Sequence, residues 1–305
     1  MTNKILFEGS AVALVTPYRE NGSVNYPKLE ELINFQIENG TDAILVCGTT
    51  GEASTMTDCV QVNVVKHAAK FVNKRVPLLV GAGSNDTLHG MKLSYAVQEA
   101  GADAILSVTP YYNKTTQKGL IEHYSQIARS VDIPVILYNV KSRTGMNIEP
   151  KTVKVLSEIP NICGIKECNS AQVGDIRKLC GENFAIYSGE DDLVVQVLAI
   201  GGNGVISVAA NIVPRDVSEM VHSFLSGDVK KARMIQLDLL DLIKALFIEV
   251  NPIPVKTAMN MMGMKVGNCV LPLTTMESEN YYKLKKVLEN YMMQHPRSIG
   301  MDNMS

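Results

Sequence analysis

The feature that most constrains the fold is an alternation of short apolar runs with longer amphipathic segments along most of the chain. The intervening segments carry apolar residues at helical spacing, as at Leu29, Leu32, Ile33 and Ile37. Strands that alternate with helices and are apolar on both faces predict a parallel sheet. The eight predicted strands are Ala11–Val15, Ala43–Val46, Pro77–Val80, Ala104–Val108, Pro134–Tyr138, Ile162–Lys166, Phe184–Tyr187 and Gly204–Val208.

The number of these runs favours a closed α/β fold, since eight parallel strands are what a (β/α)8 TIM barrel requires. An open, doubly wound sheet is the alternative. In an open sheet, functional residues gather at one switch point, whereas here the candidate residues follow several different strands. We therefore predict the barrel. Gly40 and Gly101 follow two predicted helices, where a left-handed residue would end them.

The pattern changes after residue 226, where amphipathic helices replace the alternation. We predict two domains: a barrel catalytic domain over residues 1–226 and a C-terminal helical domain over residues 227–305. The tail, His295–Ser305, has little apolar periodicity and is predicted to fray. The first predicted helix is Asp228–Phe247, and Asn251-Pro252-Ile253-Pro254 keeps it from continuing. Two more helices are predicted over Val255–Met262 and Ser278–Met293.

Composition excludes several classes of protein. The formal net charge of −2 argues against a nucleic-acid binder or a polybasic membrane-surface protein. The six cysteines lack CxxC and Cys/His ligand spacing, which predicts reduced thiols and no metal site. The N-terminus has no long apolar stretch of the kind that a secretory signal carries. We expect a cytoplasmic protein without nucleic-acid or membrane partners.

Lys166 ends a buried strand and is the most informative single residue. Because strand side chains alternate, Ile165 and Glu167 point outward if Lys166 points into the barrel. A lysine inside an apolar barrel is desolvated, which lowers its pKa and makes the amine nucleophilic. The alternative is a lysine whose ammonium reaches solvent from the strand end.

Three further features follow the neighbouring strands. Tyr138 ends the strand before that of Lys166, where its phenol could relay a proton or simply pack. The turn Gly48–Glu52 carries two hydroxyls, Thr49 and Thr50, and backbone N–H groups suited to a carboxylate. Arg143 could hold a second carboxylate in bidentate fashion, or lie on the surface.

These segments together resemble the dihydrodipicolinate synthase/N-acetylneuraminate lyase superfamily, and within it the dihydrodipicolinate synthase branch. The resemblance covers nearly the whole chain, and its specificity comes from many short motifs in order. The matching motifs are Ala13–Pro17, Gly48–Glu52, Thr109–Asn113, Tyr138–Val140, Ser142–Gly145, Gly164–Glu167, Ser188–Glu190, Gly204–Ser207 and Asn251–Lys256.

The resemblance implies a reaction. Lys166 would form a Schiff base with pyruvate, and the resulting enamine would attack L-aspartate 4-semialdehyde in lysine/diaminopimelate biosynthesis. No metal or organic cofactor would be needed, because the lysine serves as the electron sink. The implied proton relay is Tyr138, Thr49 and Tyr112, and Tyr112 would reach into a neighbouring subunit's site of a homotetramer.

The resemblance also implies binding residues. Thr50 with backbone groups would hold the pyruvate carboxylate, Arg143 the carboxylate of the semialdehyde, and Gly189 and Ile206 would line the pocket through backbone groups. A regulatory groove is implied as well. Relatives inhibited by lysine commonly carry His at position 58 and Glu at position 89, and losing this Glu argues against strong feedback inhibition. The groove positions are Ala53, Ser54, Asp58, Gln61, Asn85, His89 and Tyr111.

Two alternatives stay open at this point. One is a sister pyruvate-dependent aldolase that cleaves N-acetylneuraminate or a keto-deoxy sugar acid. Lys166 cannot distinguish the two, whereas Arg143 and the pair Tyr111-Tyr112 favour the semialdehyde. The other is a non-catalytic homologue, which would be expected to lose the nucleophile or its relay.

Overall fold

The structure, a computed structural model, describes residues 5–295. Its eight strands pair in parallel and in chain order, and the last closes on the first. The predicted (β/α)8 barrel is therefore confirmed, and the open sheet is wrong. The strands are β1 Gly9–Ala13, β2 Ala43–Val46, β3 Leu78–Gly81, β4 Ala104–Val108, β5 Val135–Asn139, β6 Ile162–Glu167, β7 Ala185–Ser188 and β8 Gly204–Ser207.

Helices surround the barrel and continue beyond it. Side-chain caps start several of them: Thr57, Asp86 and Thr116 each accept a backbone N–H in the first turn. The helices are α1 Tyr26–Glu38, α2 Asp58–Val72, α3 Thr87–Glu99, α4 Gln117–Arg129, α5 Lys141–Thr144, α6 Pro150–Leu156, α7 Val173–Cys180, α8 Val194–Ala199, α9 Pro214–Leu225, α10 Val229–Leu246, α11 Ile253–Met261 and α12 Ser278–Gln294.

The core has two layers that follow the strand alternation. On β5, Val135 and Leu137 pack outward against the helices, whereas Ile136 and Tyr138 pack into the barrel interior. The interior layer is compact because β1, β2, β4 and β7 place alanines there. Burial on both faces explains why the strands read as continuous apolar runs in the sequence.

The first strand departs from its predicted range. β1 runs over Gly9–Ala13 rather than Ala11–Val15, because Gly9 and Ser10 pair with β8. A Cβ atom on Gly204 would lie 2.0 Å from the Gly9 carbonyl oxygen, so this pairing needs glycine where β1 and β8 meet. The non-apolar start of the strand hid it from a search for apolar runs.

The predicted C-terminal helices are confirmed within one or two residues as α10, α11 and α12. Asp228 caps α10 instead of lying inside it. α11 starts at Ile253, two residues earlier than predicted, so Pro254 lies in its first turn, where a missing N–H costs nothing. α10 packs against α9 and α12.

Two sequence-based expectations concern the ends of helices and the tail. Gly40 and Gly101 have φ angles of +85° and +106°, as expected for residues that end helices. Of the tail, only His295 belongs to the described residues, and the remainder of that prediction lies outside them. Within residues 5–295, no helix has both the length and the apolar character that crossing a membrane requires.

Candidate active site

A cavity of about 140 Å³ opens at the C-terminal ends of the strands. This is the face at which barrel loops converge and at which catalytic residues of such folds lie. The residues that line it come from seven of the strands or their following loops, and from the chain after α10. They are Ala13, Leu45, Thr49, Thr50, Leu106, Tyr138, Val140, Ser142, Arg143, Lys166, Cys168, Gly189, Glu190, Val208, Phe247 and Asn251.

Lys166 projects into this cavity from β6, and its side chain is nearly enclosed, with 5% of the residue exposed. Its Nζ has no hydrogen-bond or ion-pair acceptor among the described residues, and it lies 4.7 Å from the centroid of the Tyr138 ring. Burial lowers the pKa of this amine, although Cys168, Asp191 and Glu190 partly oppose the shift. The solvent-exposed alternative for Lys166 is wrong.

Tyr138 lies directly opposite Lys166, because β5 and β6 pair these two residues. Its ring is buried, and its side chain forms a hydrogen bond with Thr49. Burial raises the pKa of the phenol, so Tyr138 stays protonated near neutral pH. A protonated phenol bonded to a threonine can give a proton to the site and recover it through that hydroxyl.

Thr50 and Arg143 are connected through Asn251. The Asn251 Nδ2 donates to Thr50 Oγ1 at 2.9 Å, and Arg143 Nη2 donates to the Asn251 carbonyl oxygen at 3.3 Å. Arg143 lies on α5, which Gly145 ends with a φ angle of +70°. A guanidinium therefore borders the cavity, with donors left over for an anion.

The structure brings together most of the sequence-predicted residues. Thr49, Thr50, Tyr138, Arg143, Lys166 and Gly189 all line the cavity. Ile206 lies on β8 and packs its side chain into the barrel interior, without lining the cavity. Tyr112 lies outside the cavity and is 92% exposed, on a backbone with φ of +69°.

Sequence reasoning missed Asn251, Glu190 and Cys168. Asn251 and Glu190 both stand in motifs that had been noted, but neither motif indicated a role for them. Glu190 is the one carboxylate among the lining residues, and burial raises its pKa. The side chains of Cys168 and Glu190 form a hydrogen bond. Burial raises the pKa of the Cys168 thiol to about 12, so the thiol stays protonated.

The positions of the implied regulatory groove fall into smaller sets of contacts. His89 Nε2 lies 3.0 Å from both carboxylate oxygens of Asp58, and His89 Nδ1 lies 2.9 Å from Ser84 Oγ. Asn85 donates to the Tyr111 carbonyl oxygen, and Gln61 Nε2 donates to the Gly81 carbonyl oxygen. Ala53 and Ser54 form a short turn after Glu52.

These contacts change the charge argument for the groove. Position 89 carries His89 instead of the carboxylate that the resemblance led us to expect in a lysine-inhibited protein, but Asp58 supplies another carboxyl group. That carboxylate is engaged by His89. The Asp58 carboxyl group at these positions therefore already has a hydrogen-bonding partner.

A second lysine, Lys256 on α11, is buried next to the Gly48–Glu52 turn. Its Nζ donates to Glu52 Oε1 at 2.8 Å, to the Asn268 carbonyl oxygen at 2.8 Å and to the Thr16 carbonyl oxygen at 3.1 Å. Glu52 follows Thr50 in the Gly48–Glu52 turn. The C-terminal segment thus fixes this turn through an ion pair as well as through Asn251.

Comparison with known proteins agrees with this geometry. The sequence profile of the Dihydrodipicolinate synthetase family matches residues 6–291. The chain belongs to this family. A 4-hydroxy-tetrahydrodipicolinate synthase of Acetivibrio thermocellus is 62% identical over 288 residues, covering 94% of this chain and 98% of that protein. The enzyme of the same name from Thermoanaerobacter pseudethanolicus is 53% identical over 289 residues, covering 94% of this chain and 97% of that protein.

Solved structures of this family have the same fold as this chain. The crystal structure of dihydrodipicolinate synthase from Aquifex aeolicus superposes with a TM-score of 0.91 at 46% sequence identity. The match covers 96% of this chain and all of that one. The dihydrodipicolinate synthase of Thermotoga maritima gives a TM-score of 0.92 at 38% identity. The resemblance stated from the sequence motifs is confirmed.

Proposed function

We propose that this chain is a 4-hydroxy-tetrahydrodipicolinate synthase, a Schiff-base lyase that condenses pyruvate with L-aspartate 4-semialdehyde. The observation that carries the proposal is Lys166, a buried amine with no acceptor among the described residues, placed beside Tyr138 in the cavity that Arg143 borders. A neutral amine, a proton donor and a carboxylate-binding cation are what the reaction requires.

The first half of the reaction builds the imine. The Lys166 amine attacks C2 of pyruvate, and the carbinolamine loses water as Tyr138 supplies the proton that the leaving hydroxyl takes. Thr49 forms a hydrogen bond with Tyr138. It returns a proton along the relay, which Tyr112 of a neighbouring subunit completes. Thr50, with backbone groups that include those of Gly189 and Ile206, holds the pyruvate carboxylate.

The second half forms the carbon–carbon bond and releases the product. The protonated imine withdraws electrons, so a methyl proton of pyruvate is lost and an enamine forms. Its terminal carbon attacks the aldehyde, whose carboxylate Arg143 holds. The amino group of the second substrate then attacks C2, displaces the Lys166 amine by transimination and closes the ring. The lysine serves as the electron sink, and we assign no metal or organic cofactor.

The assembly that we propose is a homotetramer. The exposure of Tyr112 supports an assembly of at least two subunits, because a relay residue that is 92% exposed and outside its own cavity needs another subunit's site. The resemblance to the family extends this to four. We assign the barrel domain to residues 1–226 and the helical domain to residues 227–305; the boundary falls between α9 and α10. All six cysteines are free, in keeping with the cytoplasm as the proposed location.

We further propose that the groove of Asp58 and His89 responds weakly to lysine. A carboxylate that is already paired with an imidazole attracts a lysine ammonium less than an unpaired one does. Titrating lysine against the initial rate tests this. Inhibition at lysine concentrations well below those of the substrates would contradict it.

The proposed activity is tested by offering the protein two reactions. Condensation of pyruvate with L-aspartate 4-semialdehyde should proceed, and release of pyruvate from N-acetylneuraminate should be absent or far slower. Arg143→Ala should raise the KM for the semialdehyde more than the KM for pyruvate, because only the second substrate meets this cation. Cleavage of N-acetylneuraminate without condensation would overturn the proposal in favour of a sister aldolase.

A further inference from the structure

The alternation of side chains along β6 is broken at one place. Ile162 packs in the outer layer and Cys163 in the barrel interior, as alternation requires. Two residues later, however, Ile165 is again in the outer layer, and Lys166 faces the cavity. Unbroken alternation from Ile162 would place Ile165 inside and turn Lys166 out of the barrel.

A one-residue bulge causes the change. Val135 of β5 pairs with Ile162, but the next residue, Ile136, pairs with Gly164, so Cys163 is skipped. The skip brings Lys166 opposite Tyr138. Bulges are known to redirect side chains next to functional sites.

Glycine is required at the bulge for a steric reason. A Cβ atom on Gly164 would lie 2.6 Å from the Ala185 carbonyl oxygen and 2.8 Å from the Ala185 Cβ. Both of these neighbouring atoms are held in β7. The close approach of β6 to β7 at this point therefore depends on the missing side chain.

A buried hydrogen-bond network holds the register one residue further along. Asn139 and Glu167 form the next cross-strand pair and face outward, opposite in direction to Tyr138 and Lys166. Asn139 Nδ2 donates to the two carboxylate oxygens of Glu167 at 2.8 and 3.0 Å. Both residues are 1% exposed. We call this pair the Asn139–Glu167 clamp.

The clamp is anchored on both sides. Glu167 also accepts from Asn169 N at 2.7 Å and from Gln172 Nε2 at 2.8 Å. Asn139 Oδ1 accepts from Ile148 N at 3.0 Å, and its Nδ2 donates to Asn147 Oδ1 at 2.9 Å. Every group around the carboxylate is a donor, so its acceptor sites fix the ends of β5 and β6 against each other.

We propose that the Asn139–Glu167 clamp, together with the bulge at Cys163 and Gly164, positions Lys166 in the cavity beside Tyr138. Glu167 is a positioning residue, since it lies on the outer face of β6 and acts through the strand. The inference rests on the proposed function, in which Lys166 is the nucleophile. A slip of β6 by one residue would turn Lys166 away from the cavity and set Ile165 opposite Tyr138.

The test exchanges donor and acceptor in the clamp. Glu167→Gln replaces one acceptor oxygen by an NH₂ group, which must face a donor because Asn139, Asn169 and Gln172 all donate to this side chain. Asn139→Asp sets one carboxylate against another. Each variant should slow imine formation by roughly 10- to 100-fold. The rate is measured from the time course of borohydride-trapped pyruvate per folded subunit at saturating pyruvate. The double variant Asn139→Asp/Glu167→Gln restores one donor–acceptor pair between the two strands, but its amide still faces the donors Asn169 N and Gln172 Nε2, so it should recover only part of the lost rate.

A control separates positioning from general stability. Thr41→Val removes a buried 2.7 Å hydrogen bond to Gln36 Oε1 at the opposite end of the barrel. It should lower the melting temperature and leave the imine rate per folded subunit unchanged. The clamp variants should change both quantities.

Three outcomes would overturn the inference. Single variants that form the imine at the wild-type rate would show that the clamp does not position Lys166. A double variant that regains the melting temperature but not the rate would do the same. If the single variants do not fold, Glu167→Asp keeps the charge with a shorter reach, and a wild-type rate there would overturn it. A wild-type protein that traps no pyruvate would instead overturn the proposed function.

Discussion

Two buried lysines in this molecule lie beside similar aromatic rings but differ in their hydrogen-bonding partners. Lys166 and Lys256 are 5% and 1% exposed, and each places its Nζ 4.7 Å from the centroid of a tyrosine ring, that of Tyr138 and of Tyr18. Lys256 donates to three oxygens, one of them a carboxylate oxygen of Glu52. Lys166 donates to none of the described residues.

Burial beside an aromatic ring therefore does not by itself distinguish the proposed nucleophile from a lysine with a structural role. Lys256 has all three of its protons accepted, so it is a structural cation that connects α11 to the Gly48–Glu52 turn. Lys166 is buried without such compensation, and this burial lowers the pKa of its amine. The unpaired lysine is the one that faces the cavity.

The largest expected effect separates the two lysines by activity. Lys166→Met should lower kcat by roughly 10⁴-fold or more, because the Schiff-base nucleophile is lost. Lys256→Met should keep kcat per folded subunit within about 10-fold of the wild type, because its cation touches no substrate. Steady-state condensation assays, normalised to folded protein, measure both. Equal losses of kcat in the two variants would contradict the proposal that Lys166, and not Lys256, is the nucleophile.

The second effect separates them by stability. Lys256→Met leaves Glu52 as a buried carboxylate without its cation, and this should cost about 3–5 kcal/mol of the free energy of unfolding. Urea denaturation followed by circular dichroism measures the cost. The double variant Lys256→Met/Glu52→Gln, which removes both charges, should recover part of it. A Lys256→Met variant as stable as the wild type would contradict the structural role.

The two tyrosines extend the same comparison. Tyr138→Phe removes the proton donor beside Lys166 and should lower kcat by roughly 10²-fold, with a smaller change in the KM for pyruvate. Tyr18→Phe keeps the ring under Lys256 and should change kcat little. The same condensation assay compares them. A Tyr18→Phe variant as slow as Tyr138→Phe would contradict the assignment, because a hydroxyl group outside the cavity would then matter as much as the proposed proton donor.

The smallest effect is a dependence of stability on pH. Burial lowers the pKa of Lys166 in the folded state, so between that value and 10.5 the unfolded state binds more protons and stability rises with pH. Lys166→Met lacks this contribution. The variant should be more stable than the wild type at neutral pH, by about 1–3 kcal/mol, and its advantage should shrink as the pH approaches 10.5. Urea titrations at several pH values check this. An advantage that grows with pH would contradict it.

Most of the fold followed from the sequence because strands buried on both faces appear as continuous apolar runs. The same property concealed the bulge: Ile162, Cys163 and Ile165 are all apolar, so no polar position marks which face each one takes. The start of β1 was misplaced because Gly9 and Ser10 are not apolar. The exact register between β5 and β6 therefore needed the structure.

The site was predictable where its residues end strands and follow one another in motif order, as Tyr138 and Lys166 do. The contributions of the C-terminal segment were not. Asn251 contacts Thr50 across 201 positions of the chain, and Lys256 contacts Glu52 across 204. Local periodicity carries no information about contacts at this separation, so neither partner could be inferred from spacing.

The most direct test of the central claim is to find which lysine carries pyruvate. The protein is treated with pyruvate and sodium borohydride, digested, and mapped by mass spectrometry. The comparison of the two lysines predicts one adduct, on the peptide that contains Lys166, and none on the peptide that contains Lys256. An adduct on Lys256, or trapping that persists in Lys166→Met, would contradict the claim that the unpaired buried amine is the nucleophile.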